Sequence, residues 1–305
     1  MIRSWPGPSR EADFVLKTPS RIAYGGQSNP SLGERNVVGY QVKPNMEYYA
    51  WFKLKLDRTS ATRYDDQTLK ESEGPGVLRL PRGKSAREVC ADYLTEIYRY
   101  TIQTLEQRHS PELLRITPIE FWFTVPAIWS DAAQSDTLTA ARAAGFGQRP
   151  RDSVSLIPEP EAAAIWTLKN ISQHGTEEQI SPGDGVLICD CGGGTVDITT
   201  YVINKVSPEL DFQELLKGDG GKCGSTYVDR NFLEWMSTTF GDAFRNLPFA
   251  KRGPGSNLMK EFECIKKDFG SNYLSGDTYE VTLVMEGVED SGNYDSAMGM
   301  VMFDS

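Results

Sequence analysis

V-L-I-C-D-C-G-G-G-T-V-D-I-T-T-Y, from Val186 to Tyr201, runs an apolar strand into three consecutive glycines and back along a second strand-like stretch, Ile198 to Ile203. Asp190 stands at the end of the first strand, and Thr195 and Asp197 stand just past the turn. Lacking Cβ atoms, Gly192, Gly193 and Gly194 are free to take positive φ and to present bare N–H groups. Successive N–H groups aimed the same way form an anion-binding nest. Carboxylates beside such a nest would repel a phosphate unless a divalent cation lay between them. Mg²⁺ fits, because it takes one or two carboxylates, keeps several waters and binds substrate phosphates. The segment reads as half of a Mg²⁺–nucleotide site, with a plain glycine-rich hairpin as the alternative.

The rest of the composition narrows the class. A chain of 305 residues is long enough for two domains or lobes, and 39% hydrophobic with 24% charged residues is ordinary for a soluble globular protein. A formal net charge of −10 argues against a protein that grips nucleic acid, which needs basic stripes. The five cysteines (Cys90, Cys189, Cys191, Cys223 and Cys264) are odd in number and show no C-x-x-C spacing. Cys189 and Cys191 lie two apart on a strand, so they share a face and flank Asp190; packing rather than zinc binding is the expectation. With His109 and His174 the only histidines, His-based triads and His-rich metal sites are disfavoured. Met1 to Phe14 has no apolar signal core, and no segment approaches the roughly twenty apolar residues of a bilayer span. A cytoplasmic protein without a membrane or nucleic-acid partner is expected.

Strand–helix alternation recurs in both halves, which makes the class α/β. Met1 to Arg21 begins as irregular chain, Tyr48 to Leu56 is apolar and aromatic with Lys53 and Lys55 inserted, and Thr59 to Gly83 is a polar excursion. Ser85 and Glu88 form a capping box ahead of a stripe that includes Val89, Tyr93, Ile97 and Thr101. Ile119 to Val125 reads as a strand stopped by Pro126. Ser130 to Ala144 reads as a helix capped by Ser130 or Asp131 and ended by Gly145, and Val154 to Ile157 as a short strand leading through Pro158-Glu159-Pro160-Glu161 into a helix over 162–169. The polar stretch Gln173 to Asp184 marks a lobe boundary, giving lobes over 1–178 and 179–305, with 218–305 as an upper subdomain of the second. Helices are expected over about Thr226 to Phe240 and Ser256 to Phe269, and a strand from Thr278 to Met285.

Several separated segments resemble one family, in that family's order. Asp190-x-Gly-Gly-Gly-Thr-x-Asp197 resembles the second phosphate-binding hairpin of the actin-like ATPase superfamily. Glu159-Pro160-Glu161-Ala162-Ala163-Ala164 resembles the E-P-x-A-A-A helix start of the 70-kDa heat-shock chaperones, and Phe123 to Ala127 their T-V-P-A strand end. Thr18 to Tyr24 resembles their early T-P-S strand; Gly218-Asp219 with Gly224 and Asp229-Arg230 resembles their G-D…G-G…D-N-R segment; and Glu263 with Lys266 and Lys267 resembles their E-x-x-K-R helix. Gly270 and Gln134 depart from the serine and arginine of that pattern, which marks a divergent member.

The resemblance implies an actin-like, ribonuclease H-like, two-lobed fold that binds ATP or ADP with Mg²⁺ and couples hydrolysis to lobe closure, with co-chaperones among its partners. It implies Lys53, with Arg58 behind it, as the group that positions the attacking water and offsets charge on the γ-phosphoryl group. Glu159 and Asp190 would hold Mg²⁺ through its water shell, and Asp197 or Thr195 would orient the water. Gly192, Gly193, Gly194, Thr195 and Gly224 would cradle phosphate; Glu263, Lys266 and Lys267 would hold adenosine; and Pro126 would relay nucleotide state. The family's first hairpin, D-x-G-T-T-x-S, has no counterpart in Met1 to Lys17, and its late G-G-x-x-R-x-P segment has none before Ser305. Weak nucleotide binding and slow or no hydrolysis are therefore expected. The alternative is a non-catalytic actin-like scaffold; a small-molecule kinase of the same superfamily fits the motifs less well.

Overall fold

The computed structural model describes Ile2, residues 5–7, 17–43, 45–58, 80–174, 180–269 and 278–304. Two compact units emerge, one comprising Met1–Val42 and Glu47–Thr226, the other Lys43–Met46 and Tyr227–Ser305.

The first unit opens with three short strands, β1 (Arg21–Ala23), β2 (Val37–Val38) and β3 (Tyr49–Ala50), in the antiparallel order β2-β1-β3. Strand β3 gives way to a 3-10 turn, Phe52–Lys55, which buries Phe52 and Leu54 and leaves Lys53 and Lys55 outside the core. Helix α1 (Ala86–Arg108) starts at the expected capping box. The Ser85 Oγ accepts from the Glu88 N–H at 3.3 Å, and the Glu88 carboxylate accepts from the Ser85 N–H at 2.8 Å. Its buried positions, Val89, Cys90 and Tyr93, pack with Ile22, Tyr49, Phe52, Val125 and Trp129. A short helix α2 (Pro111–Ile116) leads to β4 (Glu120–Val125), which ends before Pro126. Helix α3 (Asp131–Ala143) is capped by Ser130 rather than Asp131, and the chain leaves it through Gly145 at φ +110°. Strand β5 (Ser153–Pro158) runs parallel to β4, and α4 (Glu159–His174) begins immediately after it, three residues before the expected start.

The hairpin follows. Strands β6 (Gly185–Cys191), β7 (Val196–Lys205) and β8 (Asp211–Gly221) form an antiparallel meander with β7 in the middle. Gly218, Gly220 and Gly221 lie within β8. Glycine is required there at Gly220, where a Cβ would meet the Val196 carbonyl oxygen at 2.4 Å. Alternation along β7 buries Asp197, Thr199, Tyr201 and Ile203 on one face. Its far half packs apolar against Ala164 and Leu168 of α4, and its hairpin half is polar.

The second unit holds helices α5 (Thr226–Thr239, its first residue still in the first unit), α6 (Gly241–Arg245), α7 (Phe249–Arg252) and α8 (Asn257–Asp268). A sheet of order β10-β11-β9 completes it, with β9 at Thr278–Thr282, β10 at Tyr294–Asp295 and β11 at Met300–Asp304. The aromatic rings of Phe232 and Phe262 stack at 3.9 Å within a core that includes Met236, Leu258, Val281 and Val301. The α/β class stands, with strands and helices interleaved through both units. Gly270 and most of the stretch Thr59 to Gly83 fall outside the described residues. Among the described residues no helix is long and apolar enough to cross a membrane.

Candidate functional site

The site grows from one register. Asp190 of β6 lies directly opposite Asp197 of β7. Residues so paired share a face of the sheet, where like charges are destabilising unless something positive intervenes. Asp197 is 1% exposed, and its Oδ1 accepts from the Ala127 N–H at 3.0 Å, just past Pro126 at the end of β4. Its Oδ2 is buried with no hydrogen-bond partner among the described residues. Burial pushes the Asp197 carboxyl above its usual range and the nearby Glu159 charge adds to this; the Thr195 hydroxyl and the Ala127 and Ile128 N–H groups act the other way. Glu159, the first residue of α4, forms an ion pair with Lys53, whose ammonium also stands 5.5 Å from the centre of the Trp129 ring. Lys53, Glu159, Asp190 and Asp197 are thus gathered by four different elements of one unit, with Thr195 in the turn between β6 and β7.

The triglycine turn sits beside them, though not as expected. None of Gly192, Gly193 and Gly194 takes positive φ, so backbone handedness is not why they are glycines. Close approach is the reason at two positions of this region. A Cβ on Gly194 would lie 2.9 Å from the Leu54 side chain, and one on Gly224 would lie 2.6 Å from the Gly192 carbonyl oxygen. The carbonyls of Gly192, Gly193 and Gly194 accept from the N–H groups of Ser225, Thr226 and Gly224 at 3.0, 3.0 and 3.2 Å, strapping the turn to the start of α5. The Gly192 N–H donates to Thr195. A Cβ on Gly193 would meet nothing within 4 Å, and the Gly193 and Gly194 N–H groups donate to no partner among the described residues.

These residues suit a cation-bound phosphate: an orphaned carboxylate oxygen, a paired carboxylate, a lysine and two unused amide donors, the one at Gly193 beside open space. Among the described residues no group of three or more His, Cys, Asp or Glu is placed to hold a metal ion; Mg²⁺ asks for no such group, because it is held by one or two carboxylates and keeps several waters.

Three participants carried no recognisable signal. Asp57, 2% exposed, accepts from the Ser130 Oγ at 2.9 Å and lies 3.7 Å from the Lys222 ammonium, which also donates to the Asp57 carbonyl at 2.7 Å. Trp129 supplies the ring beside Lys53. All depend on contacts distant in the chain. Arg58 is exposed and lines a hollow of about 340 Å³ with Lys55, Ser85 and Asp136. A larger hollow of about 970 Å³ shares Ala127 and Ile128 with the Asp197 seat and continues past Thr199 and Tyr201.

The residues expected to hold adenosine cluster on the second unit. Lys266 pairs with Asp229 at 2.7 Å and Glu263 at 2.6 Å, and Lys267 reaches Glu263 at 3.1 Å. Burial acts to lower the Lys266 ammonium, but the two carboxylates hold it above its usual value; burial also pushes the Asp229 carboxyl up against the pull of Lys266. The cysteine pair departs from expectation: Cys189 and Cys191 are exposed, not packed. Alternation along β6 turns them to the exposed face opposite Asp190.

Comparison with known proteins agrees with the motifs. No family model matches the chain. The curated protein Heat shock 70 kDa protein 12B of Homo sapiens is 29% identical over 275 residues, covering 73% of this chain and 38% of that protein. The Chaperone protein HscA homolog of Actinobacillus pleuropneumoniae serotype 5b (strain L20) is 30% identical over 226 residues, covering 72% of this chain and 32% of that protein. The chain is a divergent relative of the 70-kDa heat-shock proteins. The Heat shock 70 kDa protein 7, chloroplastic, of Arabidopsis thaliana extends this, at 21% identity over 84% of the chain. This heat-shock relative spans about a third of the length of the curated relatives it matches.

Proposed function

We infer that the chain is an ATP-binding domain of the heat-shock chaperone type, with an actin-like, ribonuclease H-like fold divided into lobes near residue 178, and that it hydrolyses ATP slowly to ADP with Mg²⁺. The observation that carries this reading is the Asp190–Asp197 pair, whose buried, unpartnered Asp197 Oδ2 lies in the field of Glu159 beside Lys53. Two like charges in register, one of them desolvated, cost stability and call for a cationic ligand. Mg²⁺ would supply charge neutralisation for the polyphosphate. Asp190 and Glu159 would hold it through water, and the Gly193 and Gly194 N–H groups would donate to phosphate oxygens. Asp197, seated on Ala127 and touched by Thr195, would fix the attacking water, and Lys53 would balance the charge developing on the transferred phosphoryl group. Glu263, Lys266 and Lys267 would hold adenosine. A co-chaperone is the expected protein partner, and five free thiols suit a reducing, cytoplasmic setting.

A second reading, a non-catalytic scaffold, has a specific observation behind it. Lys53 and Lys266 are both satisfied by carboxylates of the chain itself, as they would be if no nucleotide came. Calorimetric titration with Mg·ATP decides between the two. Saturable binding that weakens at least tenfold in Asp190→Asn, with turnover falling by about 10²–10³ in Lys53→Ala, is the expected result. Absence of binding, or equal binding by wild type and Asp190→Asn, leaves the scaffold reading standing.

A further inference from the structure

Strand β6 carries a second constellation on the face opposite the two aspartates. The Sγ atoms of Cys189 and Cys191 stand 3.5 Å apart. Both residues are exposed, and their neighbours on that face, Leu187 and Ile198, are themselves 61% and 39% exposed, so among the described residues no layer of side chains covers the pair. Free cysteine is ordinarily among the most buried residue types, so two of them side by side on an open strand face ask for a reason other than packing.

Geometry separates the two uses such a pair can have. A disulfide would draw the sulfurs together to about 2.05 Å and wants Cα atoms no more than about 6.8 Å apart. Residues two apart on an extended strand stand about 6.4–6.8 Å apart, at the outer edge of that range. Closing the bond would bend β6 at Asp190. A bridging ion asks for no bend, because two thiolates of a tetrahedral centre with metal–sulfur bonds of about 2.3 Å lie about 3.8 Å apart.

We propose that Cys189 and Cys191 form a two-thiolate site for a thiophilic centre, a soft metal ion or trivalent arsenic, on the outer face of the phosphate-hairpin strand. Soft sulfur ligands favour such centres over Mg²⁺, so the site is chemically separate from the aspartates behind it. Cys223 lies within electrostatic range of Cys191, although no third ligand is in position among the described residues. Zinc binding forms two Zn–S bonds and releases two thiol protons. An arsine oxide forms two As–S bonds while both thiol protons leave with its oxygen as water. Neither step moves electrons, so no oxidant is needed.

The test uses the full, reduced chain with phenylarsine oxide, read by intact mass, and with zinc alone, read by calorimetry. Expected is one arsenical per chain with loss of one water, reversed by a dithiol but not a monothiol. The adduct should be lost in Cys189→Ser and in Cys191→Ser and retained in Cys264→Ser. Zinc affinity should fall at least tenfold in either of the first two variants. Asp190→Asn should keep the adduct, which separates this site from the nucleotide reading. An adduct that persists in both single variants, no adduct on wild type, or zinc binding unaltered by Cys189→Ser overturns the proposal.

Discussion

At Asp197 burial and the Glu159 charge oppose ionisation, while the Thr195 hydroxyl and two backbone N–H groups favour it, and the carboxyl ends above its ordinary range. The folded chain therefore takes up this proton at higher pH than the unfolded chain. Its contribution to stability is full below the ordinary carboxylate value and is lost as pH rises through the folded value. Asp197→Asn, neutral throughout, should melt at a higher temperature than wild type at neutral pH, with the gap closing as pH falls toward 3.8, the ordinary aspartate value. Melting curves across that range check it. The same variant should lose turnover, the trade between stability and activity that strained sites show. Glycines give a paired prediction. Gly193→Ala meets open space and should change stability by no more than about 0.5 kcal/mol while weakening Mg·ATP binding. Gly224→Ala meets backbone at 2.6 Å and should cost about 1–3 kcal/mol. Urea titration of both, alongside calorimetry, separates a ligand-facing glycine from a packing one.

Among the elements, two helix starts use the same cap residue for different work. Ser85 caps α1 in an exposed capping box, so Ser85→Ala should cost about 1 kcal/mol. Ser130 caps α3 and also donates to the buried Asp57, so Ser130→Ala removes a cap and a hydrogen bond to a desolvated charge. It should cost about 2–4 kcal/mol by denaturant titration. Equal costs for the two would show that the Asp57 contact contributes nothing. The α1 and α3 caps were legible because capping is settled within four residues of chain. Strand β8 was not, because its glycines carry no strand pattern and its pairing is made by β7.

At the scale of the molecule, the second unit holds its own core around the stacked Phe232–Phe262 rings. Phe262→Ala should destabilise that unit by about 3–5 kcal/mol, seen as an earlier denaturant transition in the fluorescence of the neighbouring Trp235. The chain order of motifs by itself determined the α/β class, the hairpin, the main helices and the kinship to heat-shock proteins, because periodicity, caps and glycine runs are local properties. Only the tertiary structure decided what each group faces. It set Asp197 on the Ala127 amide, gave Glu159 to Lys53, recruited Asp57 and Lys222, and turned Cys189 and Cys191 outward. Those outcomes rest on register and on contacts between residues up to 165 positions apart in the chain, where short-range pattern carries no information.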